Sequence, residues 1–186
     1  MNRHQRWHPV EWARSEEAEY LNDEDRPLLP FAAIMGVNVA MIGALGLVVK
    51  ASGKELPERI GVADLALLSV ATHKLSRVMS KSPVTSPIRA PFTRFEGASG
   101  HAEIAEEVRE HGGVKHAVGE LLTCPFCLAQ WVGTGFVLGY VTAPKATRLA
   151  ALTMTMVAGS DVLQFVYDAI QNGGLAPGTE GVDPPD

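Results

Sequence analysis

The stretch LLPFAAIMGVNVAMIGALGLVV, residues 28–49, decides the fold class. It contains no charged side chain, and Asn38 is its one strongly polar residue. As an α-helix rising 1.5 Å per residue it extends roughly 33 Å, enough to cross a hydrocarbon core of about 30 Å. Inside lipid, every backbone N–H and C=O must find its partner within the segment, so the stretch reads as a spanning helix. Gly36, Ala40 and Ala44 recur every four residues and share one face, against the same subunit or another copy, where a second helix can approach closely.

Upstream, residues 1–27 form a polar tail with Trp7, Trp12 and Tyr20 among its charges. Residues 10–21 read either as a short amphipathic helix placing Trp12 and Tyr20 at headgroup level, or as part of a disordered acidic tail. A charged tail of this length ahead of a long apolar run reads as the approach to a retained span, with no cleavable leader expected. Downstream, residues 60–79 make a second candidate span, although Asp64, His73, Lys74 and Arg77 are costly in lipid. The last three sit at one end, where long basic side chains can reach the interface; a helix lying flat on the membrane is the alternative. Residues 121–143 carry no charge, and residues 147–170 carry only Arg148, Asp161 and Asp168. The link Pro144-Lys145-Ala146 joins these last two into an antiparallel hairpin. The sequence therefore predicts an all-α polytopic membrane protein of about four transmembrane helices within residues 28–171, followed by a disordered acidic tail over 172–186.

Between the second and third spans, residues 80–120 form a loop with its own organisation. Pro83, Pro87 and Pro91 predict an extended, partly polyproline segment. The glutamate-rich stretch 102–111 predicts a short helix ended by Gly112 and Gly113, and 114–122 predicts another. Positive charge concentrates on this loop and the N-terminal tail, so the positive-inside rule places both termini and the loop in the cytoplasm of a bacterial cell. The formal charge of −5, with no dense basic tract, argues against nucleic acid as a partner. The expected partners are the lipid bilayer itself and a membrane protein or second copy of the chain, with the 80–120 loop as the contact surface.

Cys124-Pro125-Phe126-Cys127 is the motif most suggestive of chemistry. Two cysteines three apart cannot staple a secreted fold, and on the cytoplasmic side no standing disulfide is expected. Cys124 at the cap and Pro125 in the first turn of a helix resemble the dithiol of glutaredoxin-like proteins, though no βαβ pattern surrounds them. Two thiolates are also half of a tetrahedral zinc site, which His73, His101, His111 or His116, or a second subunit, would complete. Packing beside Trp131 is the third account. Apart from zinc on that reading, the sequence calls for no cofactor.

Asp161 lies well inside its span and needs a partner. If the second and fourth spans both start at the outer face, Asp161 and Lys74 are each fourteen positions in, with Arg77 level with Gln164. This depth comparison predicts a buried polar cluster of His73, Lys74, Arg77, Asp161 and Gln164, near Cys127. Such a cluster serves either as an ion or proton relay or, on the reading favoured here, to fix helix register.

The motifs ATHKLSR (residues 71–77), PVTSPIRAPF (83–92) and LLTCPFC (121–127), followed by Trp131, together resemble the bacterial membrane family known as domain of unknown function 1360. The resemblance spans about residues 60–170, and that family includes a sporulation-associated protein of bacilli and phage-encoded proteins. It implies Arg77, Thr85, Pro87, Arg89, Cys124, Pro125, Cys127 and Trp131 as characteristic positions and implies no enzymatic activity. The family usually has an acidic residue just before the Val-Thr-x-Pro-x-Arg stretch, where this chain has Lys81, Ser82 and Pro83. The expected role is a structural or partner-binding membrane component, with the thiol pair as zinc or redox site the alternative.

Overall fold

The computed structural model describes residues 9–21, 28–53, 57–109 and 112–172. The acidic tail beyond Asn172, His111 and the rest of the N-terminal tail lie outside the described residues. A helix α1 (Pro9–Leu21) occupies the tail, with Trp12 and Tyr20 exposed. Then come α2 (Leu28–Ser52), α3 (Val62–Lys81), a 3-10 turn (Pro83–Thr85) and the single turn α4 (Ser86–Arg89). Strands β1 (Thr93–Gly100) and β2 (Glu103–Val108) follow, then α5 (Gly113–Thr123), α6 (Pro125–Thr142) and α7 (Pro144–Gln171).

Among the described residues, α2 and α7 are long and apolar enough to cross a membrane, and α5 with α6 makes a third candidate as a bent pair. That suggests a membrane location. Met35, Val39, Leu47, Met156, Leu163 and Val166 lie exposed on α2 and α7, as side chains facing lipid would. The Gly36, Ala40 and Ala44 face of α2 is exposed too. The packed face is Ile34, Asn38, Met41, Leu45 and Val49, where Asn38 is buried and meets Thr134 and Gln130 of α6.

The least apolar of the long helices in the bundle stands at its centre. α3 packs along both α6 and α7, and the core where they meet is Ala71, Phe136 and Ala151, flanked by Leu67, Leu68, Leu75, Val132 and Met154. Asp64, Leu67, Ala71, Lys74 and Val78 recur at spacings of three and four, so one face of α3 carries both charge and apolar contact. Ala71 and Ala151 are fully buried, and their small side chains let the helices approach.

Three expectations are corrected, two of them about the intervening loop. The stretch 102–111 is not a helix: Glu103–Val108 is β2, antiparallel to β1. The molecule is therefore mostly helical and not all-α. Local helix propensity loses here to pairing with β1 and to ion pairs formed by Glu103 and Glu106. The prolines do not extend the chain; Pro83 and Pro87 each start a short helical turn, where their fixed φ is already suitable. The third predicted span is broken. α5 and α6 meet at 83° because Cys124, preceding Pro125, is held in an extended conformation (φ −98°, ψ 107°).

The last hairpin is tighter than expected. α7 begins at Pro144, leaving Ala143 alone between helices, and a Cβ at Gly139 would lie 2.6 Å from Thr147 Oγ1. Gly139→Ala is therefore expected to destabilise the detergent-solubilised protein by about 1–3 kcal/mol. Thermal unfolding followed by circular dichroism checks this. Adding Thr147→Ala removes the clashing hydroxyl and should recover most of the loss.

Candidate functional site

Charged side chains link α3 to its neighbours along its whole length. At its start, the Asp64 carboxylate accepts both Arg148 Nε (2.8 Å) and Nη2 (2.6 Å), and the Tyr140 hydroxyl donates to it at 2.6 Å. Three chain segments, α3, α6 and α7, are tied by that one carboxylate. Next, Thr155 of α7 donates its hydroxyl to the Leu67 carbonyl at 3.0 Å. Deeper along the two helices, the Lys74 ammonium pairs with Asp161.

Beyond Lys74 the partners come from the hairpin. Arg77 donates to Glu103 through Nε (2.9 Å) and Nη2 (2.6 Å), a two-pronged contact that fixes orientation as well as distance. Arg89 is the most enclosed charge of all, 0% exposed, and its partner Glu106 is 5% exposed. Its guanidinium also donates to the carbonyls of Met79 (2.6 Å) and Ser82 (3.0 Å) and to the Thr85 hydroxyl (2.6 Å). Thr85 in turn donates to the Val78 carbonyl at 2.6 Å. The last carbonyls of a helix have no partner within it, and here Arg89 and Thr85 supply one. The Val-Thr-x-Pro-x-Arg stretch thus closes the end of α3 and clamps β2 beneath it. α5 completes this cap by lying on β2, where a Cβ at Gly119 would meet Val108 Cγ1 at 2.7 Å.

The cap and the bundle enclose an open cleft of about 1060 Å³ between α3, α7 and the hairpin turn. His73, Lys74, Arg77, Asp161 and Gln164, the five residues that depth along the helices placed together, all line it. They do not form one bonded cluster. Lys74 and Asp161 pair, but Arg77 turns to Glu103, and Gln164 donates along its own helix to Ser160 Oγ at 3.3 Å. The hairpin tip forms the cleft's roof: His101 packs edge-on against Phe165, with ring centres 5.4 Å apart, and its Nε2 lies 3.4 Å from Asp168.

The cysteines stand elsewhere. Cys124 caps α6, its sulfur accepting the Cys127 N–H at 3.2 Å; both thiols are free, and Cys127 is exposed. Neither lines the cleft. His116 is placed 3.1 Å from Glu120 on its own helix, and among the described residues no three His, Cys, Asp or Glu side chains come together as a metal-holding group. Pro125 starts α6 and Trp131 is half-buried within it.

Fold and site define a helical protein with membrane-spanning candidates and a folded polar cap over one end of the bundle. Residues 67–167, from the second turn of α3 to near the end of α7, match the family described as protein of unknown function DUF1360, and the chain belongs to that family. It is similar to the sporulation protein YjcA of Bacillus subtilis (strain 168), at 24% identity over 103 residues, covering 54% of this chain and 86% of that protein. No solved structure matches.

The burial difference between the two arginines gives a direct test. Arg89→Met leaves Glu106 buried and unpaired and should cost about 3–5 kcal/mol. Arg77, which is 41% exposed, is worth about 1 kcal/mol or less to stability on the same substitution. Thermal melts of the two variants in one detergent check the order; equal losses would contradict this account of the cap.

Proposed function

We propose that this protein is a four-span component of a bacterial cytoplasmic membrane, holding a folded cap at the cytoplasmic face as a docking surface for a membrane partner. Four spans require α3 to cross, and its 20 residues reach about 30 Å. Crossing is tolerable because Asp64 and Lys74 have partners on α7, and Arg77 has one on the cap. α6 alone, with 18 residues, reaches about 27 Å, so the 83° bend leaves α5 running along the membrane surface beneath the cap. Lys81, Arg89, Arg94, Arg109 and Lys115 all fall on the cap side, which supports both termini inside.

The observation that carries the architectural reading is the pairing itself. The basic groups of the signature stretches bind carboxylates on other elements, Lys74 on α7 and Arg77 and Arg89 both on β2, joining parts of the fold. The relative's description as a sporulation protein makes membrane assembly in that process a natural setting to examine. A second reading, a zinc or redox site at Cys124 and Cys127, draws on the two free thiols meeting within one turn at an exposed bend.

Reporter fusions test the topology on which the first reading stands. Alkaline phosphatase joined after Gly53 or Ala143 should be active, and joined after Gly100 or Asn172 inactive, with a cytoplasm-dependent fluorescent reporter giving the reverse. Active phosphatase within the cap would overturn the reading. Thiol labelling decides the second: free alkylation of both cysteines in purified native protein, without loss of stability, leaves the architectural role alone.

A further inference from the structure

The cleft changes character along its length. Away from the cap its walls are Val70, Thr155, Ala158 and Gly159, and from the level of Asp161 towards the cap Val162 and Phe165 stand among the charged Lys74, Arg77, Glu103, Asp161 and Asp168. A Cβ placed on Gly159 meets nothing within 4 Å, so α7 leaves open space beside the apolar wall. An apolar slot ending in a charged mouth, at the depth where a spanning helix leaves the hydrocarbon, has the polarity profile of a lipid molecule.

The charge at the mouth decides which lipid. Two side-chain cations, Lys74 and Arg77, face three carboxylates, Glu103, Asp161 and Asp168, so with neutral imidazoles the mouth is net negative by one. A purely anionic headgroup meets repulsion there. A headgroup bearing both a phosphate and an ammonium meets groups of either sign: Arg77 is 41% exposed, Asp161 36% and Asp168 48%, while Lys74, at 18%, is reached beside its partner Asp161. A primary ammonium also donates hydrogen bonds to carboxylates, which a trimethylated one cannot.

We propose that the cleft between α3, α7 and the hairpin tip is a binding site for a zwitterionic phospholipid with a primary amine. Its phosphate faces Lys74 and Arg77, its ammonium faces Asp161 and Asp168, and its upper chain lies along Val70, Gly159 and Val162. His101, packed on Phe165 at the tip, covers the headgroup. The proposal requires membrane residence but not the docking role of the cap, so either can fail alone.

Native mass spectrometry of the full-length protein in detergent tests this, using phosphatidylethanolamine, phosphatidylglycerol and phosphatidylcholine as separate probes. Retention of phosphatidylethanolamine should exceed that of the other two by about tenfold. Gly159→Leu fills the slot with a better helix former and should abolish the preference while the melting temperature holds. Equal or stronger retention of phosphatidylglycerol by the unaltered protein overturns the proposal. So does a preference that survives Gly159→Leu. If that variant fails to fold, the comparison among lipids on the unaltered protein decides alone.

Discussion

α3 carries four charges in 20 residues, yet it stands between α6 and α7 at the centre of the bundle. A charged side chain held among apolar helices needs a partner, and that constraint organises the rest of the molecule. A helix of this composition is stable at the centre only when its neighbours return opposite charge at the right position along it. α6 and α7 do the surrounding, and Arg148, Asp161 and Glu103 return the charge. The strongly apolar α2 can sit at the periphery, its sides exposed and its contact confined to one stripe around Asn38.

The cap extends the same logic past the end of α3. Where the helix stops, its unpaired carbonyls are taken up by Arg89 and Thr85, and Arg89 is neutralised by Glu106 from the hairpin. A guanidinium with no exposure, bonded at once to backbone and carboxylate, makes the short segment after α3 a rigid joint. The hairpin tip is thereby held over the cleft, and its His101 reaches α7. Bundle, joint and roof are one connected arrangement.

Parts of this were legible in the sequence, and the reasons are specific. Lys74 and Asp161 could be matched because both helices start at the same side and helical rise converts sequence position to depth. The same comparison applied to Asp64 and Arg148, each near the start of its helix, holds the signal for the pair that sequence reasoning missed. Glu103 and Glu106 carried no such signal. Their glutamate-rich stretch resembles a helix, and only pairing with β1 turns it into a strand facing Arg77 and Arg89. The bend at Cys124 is half legible: Pro125 marks a helix start with Cys124 as its cap, but the apolar run 121–143 extends across it and carries no sign of the 83° angle. Long apolar runs locate helices well, whereas cap structure depends on contacts distant in sequence.

The matching of charges across α3 and α7 is tested most directly by exchanging Lys74 and Asp161. Lys74→Asp and Asp161→Lys, measured singly and together by thermal unfolding of the purified protein in detergent, separate a true pair from two independent sites. Each single reversal should lower the melting temperature sharply, and the double reversal should restore most of the loss. Losses that simply add in the double variant would show that the two side chains do not meet, and the account of α3 as an enclosed charged helix would fail with them.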